Sequence, residues 1–204
     1  MFILRQGQVS DAHPLNHLIL ASEPTLLPAI FGENQAVKTF LAHALVQPDG
    51  QYSAQRHQVI VMRDGETQQE RVVGSMTLWA DELDDEFLHH TLDAIAHSCS
   101  KEQIKHIGRL NPFLQEVFLP PKTEQLALGH LSVLEDYQGL GLGKKLVAYA
   151  IRQAKLRGKQ QVVLDVDCDN EQAVSFYLGC GFIATTKASL EQTGQTFSRM
   201  VYTV

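Results

Sequence analysis

A chain of 204 residues, 44% apolar and 20% charged, is long and apolar enough to bury a core, which excludes an intrinsically disordered segment. Its formal net charge of −6 lacks the basic footprint of a nucleic-acid or anionic-membrane binder. The three cysteines, Cys99, Cys168 and Cys180, form no CxxC pair, which argues against a disulfide framework and a cysteine zinc site. No secretion signal or membrane-length apolar run is visible, so a cytoplasmic protein with free thiols is expected.

Phe2 to Gln6 reads as a first strand, and Ser10-Asp11 offers an N-cap for a helix towards Ser22. Pro24 and Pro28 break the chain before a second helix from about Asn34 to Val46, and Pro48-Asp49-Gly50 marks a turn. Gln58 to Arg63 and Arg71 to Trp79 read as a hairpin whose loop is longer than two residues. The stretch from Asp81 to about Pro121 opens with an acidic run to Glu86. Two helical patterns follow, Phe87 to Cys99 and Lys101 to Phe118, and Pro120-Pro121 closes the stretch. Forty residues make a poor independent core, so this is expected to be a helical insertion, about 81–121, in a single domain spanning 1–204.

The last third carries the clearest pattern. Leu126 to Val133 is a strand, Gly141 to Arg157 an amphipathic helix ended by Gly158, and Val162 to Val166 a strand buried on both faces. Together they make a βαβ unit. Asp169 or Asn170 caps a short helix to about Leu178, and Phe182 to Thr186 with Phe197 to Thr203 form a closing antiparallel pair.

Between strand and helix lies Gln138-Gly139-Leu140-Gly141-Leu142-Gly143-Lys144. Glycines permit positive φ and close approach of a ligand to the main chain. The amides that open a helix have no partner within it and sit at the positive end of its dipole, an arrangement suited to a pyrophosphate. A plain connecting turn is the bland alternative. Two nucleotide-binding motifs fail: a Walker A loop lacks its first glycine (Gln138) and its Ser/Thr (Lys145), and a dinucleotide fingerprint lacks its third glycine in either frame.

The pattern Q-x-x-G-x-G formed by Gln138, Gly141 and Gly143 resembles motif A of the GNAT N-acyltransferase superfamily, and Leu131-Ser132-Val133 resembles that family's fourth strand. Thirty residues on, Asn170, Ala173, Phe176, Tyr177 and Gly181-Phe182 are similar to its motif B. The resemblance is clear over about 125–186. It implies an α/β (α+β) fold with a mixed, mostly antiparallel sheet flanked by helices, around a βαβ cofactor-binding unit.

The resemblance further implies acetyl-CoA as co-substrate and no metal. Leu131, Ser132 and Val133 would meet the pantetheine arm through their main chain. Gln138, Gly139, Leu140, Gly141, Leu142, Gly143 and Lys144 would hold the diphosphate. Asn170, Ala173, Phe176 and Tyr177 would lie along the cofactor. Asn170, Ala173 and Tyr177 fall three and four apart on one helical face, and the Tyr177 phenol is the expected acid for the departing thiolate. Phe176 is expected to be the aromatic packed on the sheet. Asn170 as a simple N-cap is compatible with its cofactor role.

The base is not legible. Gln125, Ala127 and Gly129 cannot serve, and period-two alternation turns Glu124 and His130 to the opposite face, leaving the insertion, water or the substrate's own basicity. The nine histidines, including the pair His13 and His17 and the group His89, His90 and His97, lack a metal-binding context and read as surface residues. The acidic run from Asp81 is either a solvated loop or an attraction for a cationic acceptor such as a polyamine, an aminoglycoside or a lysine-bearing peptide. The expected activity is acetylation of a primary amine on a small molecule or peptide. The alternative is a non-catalytic acyl-CoA-binding sensor. Homodimerisation through residues 182–203 is a further implication of the resemblance.

Overall fold

The computed structural model describes residues 1–81 and 85–204; Glu82, Leu83 and Asp84 of the acidic run lie outside the described residues. In chain order the elements are β1 (Phe2–Gln6), α1 (Ala12–Ser22), α2 (Leu26–Phe31), α3 (Asn34–Ala44), β2 (His57–Arg63) and β3 (Glu70–Trp79). They continue with α4 (Asp85–Ser98), α5 (Lys101–Val117), β4 (Gln125–Val133), α6 (Leu142–Leu156), β5 (Gln161–Asp167), α7 (Glu171–Gly179), β6 (Ile183–Leu190) and β7 (Gln195–Thr203).

The element absent from the periodicity reading is α2. Pro28 does not break the chain there: it is the third residue of the helix, where an N–H has no helical acceptor, so its missing donor costs nothing. The β2–β3 loop is longer than two residues, as expected, and Asp64 organises it. Its Oδ1 accepts from the amides of Glu66 and Thr67 and from the Thr67 hydroxyl.

One seven-stranded sheet has the order β1-β2-β3-β4-β5-β7-β6. β4 and β5 pair in parallel across α6, which makes the βαβ unit, whereas β1–β2, β2–β3, β5–β7 and β6–β7 are antiparallel. The mixed, mostly antiparallel fold expected from the resemblance is therefore present.

The chain divides into two compact units. The first holds Met1–Thr77, α4 with the residues up to His106, and His130–Leu146. The second holds Ile107–Gly129, Val147–Val204 and the end of β3 from Leu78.

In the first unit, α1 and α3 bury Leu15, Leu18, Ile19, Val37, Phe40 and Leu41, and the strands bury Val59, Ile60, Val61 and Val73. A column of rings runs through this core. Phe31 stacks on Phe40 at 4.0 Å, Phe40 meets Tyr52 edge-on at 5.3 Å, Tyr52 stacks on His130 at 5.0 Å, and His130 stacks on His57 at 5.6 Å. Each such contact is worth about 0.5–1.5 kcal/mol beyond the area it buries. The last two members are ionisable, and burial pushes His57 down to about 4 and His130 to about 3. Both are neutral at pH 7. His57 Nδ1 lies 2.9 Å from the Ser53 carbonyl, so that nitrogen carries the proton.

The second unit buries Leu126, Val162, Val163 and Met200 of the sheet and Val147, Ala150 and Ala154 of α6. Trp79 covers Ala127, Val163 and Val201. The Arg199 guanidinium donates to both Asp165 carboxylate oxygens, at 3.0 and 2.8 Å, and also to the Leu119 carbonyl.

The neutral histidines make stability depend on pH. Between pH 4.5 and 6.5 the unfolded chain protonates both imidazoles and ionises Glu23, whose folded carboxyl is raised to about 7 by burial. The folded chain then holds only the carboxyl proton, one fewer than the unfolded chain. These three groups therefore raise stability by about 1.4 kcal/mol per unit of increasing pH. Replacing His57 by Gln cancels that slope. Urea titrations across this range should show the native protein gaining on His57→Gln by about 1.4 kcal/mol per unit, with a constant difference above pH 7.

Candidate active site

β4 ends at Val133, and a single 3-10 turn, Glu135–Tyr137, leads into the glycine-rich stretch before α6. Gly139 has φ 75° and Gly141 has φ 76°, a conformation that side chains with a Cβ rarely adopt. A Cβ built at either position would meet nothing within 4 Å, so it is the backbone conformation that calls for glycine. Among the described residues, the amides of Gly139, Leu140 and Gly141 donate to no backbone carbonyl. These three residues are exposed at the amino end of a fifteen-residue helix, where the dipole favours an anion. Lys144 is exposed beside them, whereas Leu142 and Leu146 are buried and seat the helix.

This cradle is tied to the strands beside it. The Tyr137 ring meets Phe2 edge-on at 6.2 Å, its hydroxyl lies 3.5 Å from Met62 Sδ, and Arg71 covers its face at 5.6 Å. Gln138 Nε2 donates to the Val133 carbonyl at 3.1 Å, and the Leu134 amide donates to Val73 at 2.9 Å. Leu131, Ser132 and Val133 are half-buried. The parallel register of β4 with β5 covers only Gln125–Ala127 against Gln161–Val163, so it ends before these residues are reached.

The motif B residues lie on α7, in the second unit. Asn170 is the N-cap, and its side chain accepts from the Ala173 amide at 3.0 Å. Ala173 and Phe176 are half-buried. Tyr177 is buried, with its ring 5.1 Å from Phe176 and 5.7 Å from Phe182. The expected packing roles of the two aromatics are thus exchanged: Tyr177, not Phe176, is the more deeply packed ring. Tyr177 has Phe182 beside it, which follows Gly181 (φ 91°) after the end of α7.

The histidines also require a correction. His13, His17, His43, His89, His97 and His106 are exposed, but His57 and His130 are buried. The alternation that set His130 aside fails at His130 itself, where φ is +48°. A left-handed residue resets the period of a strand, and among residues with a Cβ histidine is one of the more tolerant of it. His130 Nδ1 and His57 Nε2 have no hydrogen-bond partner among the described residues. His130 Nε2 lies 3.8 Å from Glu23 Oε1. At that distance, with the imidazole neutral, the contact is not an ion pair at pH 7.

Glu23 is the functional candidate that sequence reasoning missed. It is the residue that ends α1; its amide donates to Leu20 and its carbonyl accepts from Leu27 of α2, both at 3.3 Å. Its side chain is 30% exposed, yet burial raises the carboxyl to about 7. Tyr52, beside it in charge terms, is raised as well, first by burial and then by Glu23. The only sequence signal was a carboxylate between a helix end and Pro24, which is common in turns.

The sequence model of the acetyltransferase (GNAT) family matches residues 42–182. N-alpha-acetyltransferase 30 of Schizosaccharomyces pombe is 40% identical over 52 residues, 26% of this chain and 35% of that one. The chain thus aligns with about a third of the length of the curated relatives it matches. An N-acetyltransferase from Staphylococcus aureus Mu50 shares the fold at a TM-score of 0.70 and 17% identity, over 98% of this chain and 100% of that one. A Bacillus subtilis acetyltransferase solved in complex with CoA does so at 0.55 and 14%, over 100% and 99%. With its cradle, its βαβ unit and a family match over more than half its length, the chain belongs to the acetyltransferase (GNAT) family.

Proposed function

We propose that this acetyltransferase moves an acetyl group from acetyl-CoA to a primary amine of a small molecule or peptide by direct attack on the thioester. The observation that carries this reading is the pair of positive-φ glycines, Gly139 and Gly141, presenting free amides at the start of α6. The donor set fits a diphosphate: amides of Gly139 to Gly143, the helix dipole and the exposed Lys144. Main-chain groups of Leu131 and Val133 would hold the pantetheine arm, in the part of β4 beyond its pairing with β5. The Val133 carbonyl already accepts from Gln138, which fixes its direction and leaves one lone pair for a ligand.

The co-substrate supplies an activated acetyl group and a thiolate leaving group. A β4 amide aimed at the thioester carbonyl would stabilise the oxyanion that forms on attack, a contribution of roughly 3–4 kcal/mol where such donors have been removed. Tyr177 would donate its phenolic proton to the departing sulfur and regain one from solvent. Its burial beside Phe176 and Phe182 holds the ring still, as a positioned acid requires. Asn170 orders the start of α7 as its cap.

Replacing Gly141 by Val forces a branched residue into φ 76°, at a strain of about 1–3 kcal/mol. Calorimetric titration of that variant with acetyl-CoA should show affinity reduced about tenfold or more, whereas Leu140→Ala, which trims an exposed side chain, should bind normally. Acetyl-CoA affinity equal to the native protein's in Gly141→Val would count against the cradle.

Replacing Tyr177 by Phe should lower turnover about 10²- to 10⁴-fold in a thiol-release assay with little change in acetyl-CoA affinity. An unchanged rate removes Tyr177 from the chemistry. Binding of acetyl-CoA without turnover of any amine in a broad acceptor panel would favour a sensor over an enzyme.

A further inference from the structure

We propose that Glu23, set beside the stacked, buried imidazoles of His130 and His57, is the group that takes the proton from the incoming ammonium. This rests on the acetyl-transfer reading above and adds the residue that reading lacks, a base.

Three observations place the role on Glu23. The first is position. Glu23 Oε1 lies 3.8 Å from the ring of His130, the β4 residue immediately before the Leu131–Val133 segment that would present the thioester. The second is fixation. Main-chain hydrogen bonds on both sides of Glu23 join it to α1 and α2, which sets the origin of the side chain without consuming its oxygens. The third is its surroundings. His130 faces it from β4 and Tyr52 from the segment after α3, with His57 of β2 behind His130. Among the described residues no lysine or arginine lies within ion-pair distance of Glu23. Nothing positively charged therefore locks the carboxylate in place or discourages it from accepting a proton.

The two histidines do not serve as the base themselves. With values near 3 and 4 they would hold an accepted proton only in strong acid. Their orphan nitrogens, His130 Nδ1 and His57 Nε2, are buried lone pairs or donors for which the fold supplies no partner. Native proteins rarely leave such groups without a reason. The left-handed backbone at His130 is a second local cost concentrated at this position.

The step balances as follows. Ionised Glu23 removes one proton from the acceptor's ammonium and becomes a neutral acid. The freed lone pair forms the N–C bond to the thioester carbon, and the carbonyl electrons move to oxygen. As the carbonyl re-forms, the C–S bond breaks with its electron pair on sulfur, which takes the Tyr177 proton. The nitrogen sheds its second proton to solvent, solvent reprotonates Tyr177, and Glu23 returns its proton to solvent. One proton is released for each acetyl group transferred. A carboxyl raised to about 7 is ionised in half the molecules at neutral pH, the condition under which a base is both available and strong enough to act.

The test is the pH profile of kcat/KM from 5.5 to 9.5, with the best acceptor from a panel of a polyamine, an aminoglycoside and peptides with free amino termini. The native enzyme should show an acid limb near pH 7. Glu23→Gln should lose about 10²- to 10⁴-fold in kcat/KM and lack that limb, while binding acetyl-CoA with native affinity by calorimetry. Added formate should restore part of the rate in Glu23→Ala, which a merely structural role would not allow. A Glu23→Gln enzyme with the native rate and limb overturns the assignment to Glu23 and leaves the transferase reading intact. Native protein that turns over no acceptor overturns both.

Discussion

Two imidazoles stacked at 5.6 Å inside the first unit can stay there only while neither carries a proton. Charging one would place a cation in a nonpolar interior against a second ring that would repel it if charged as well. Much of the geometry around β4 follows from this. His130 must turn inward to reach Tyr52 and His57, and a strand residue between Gly129 and Leu131 does so here by adopting φ +48°. This left-handed residue falls after the pairing with β5 has ended at Ala127.

Donor and acceptor sides rest on different kinds of interaction. The cradle uses main-chain amides, so its sequence needs only glycines where φ is positive and apolar residues such as Leu142 and Leu146 to seat the helix. Side chains around it are free to vary, and Leu140 points outward. The Glu23 neighbourhood uses particular side chains in a particular packing, and replacing any of Tyr52, His57 or His130 alters the electrostatics of the others. A site made of backbone groups depends on conformation more than on side-chain identity. A side-chain site of this kind is expected to differ from one relative to the next.

That contrast explains what could be read in advance. The strands and long helices were legible because their period is written along the chain, and β1 was read to its exact ends. The glycine-rich turn was legible because positive φ restricts the residue type at Gly139, Gly141 and Gly158. By contrast α2 was hidden by its proline, Pro28, and by Pro24 just before it, since composition alone does not distinguish a proline in a first turn from one that ends a helix. The burial of His57 and His130 was hidden because imidazoles are as much at home on a surface as in a core, and only the three-dimensional column decides. Period-two counting also assumes an unbroken strand, and the left-handed backbone at His130 interrupts that count. Tyr177 and Phe176 could not be ranked by burial, since adjacent aromatics on a short helix differ only in where the next turn places the chain.

Glu23 was invisible for a further reason. The family match begins at residue 42, so β1, α1 and α2 lie outside the matched residues. Tyr52, His57 and His130 fall within the matched residues, and the carboxylate that meets them comes from before it. A base drawn from the unmatched segment can be exchanged without disturbing the cradle, because α1 and α2 carry no residue of the diphosphate turn. The division of labour follows from the chemistry. Acetyl-CoA presents the same diphosphate and pantetheine to every member, which fixed backbone groups can hold, whereas acceptor amines vary in size, charge and basicity. With Glu23 as the proposed base, a half-buried carboxyl beside neutral rings would match that variable partner while leaving the constant one untouched, from a helix end whose sequence looks like an ordinary turn.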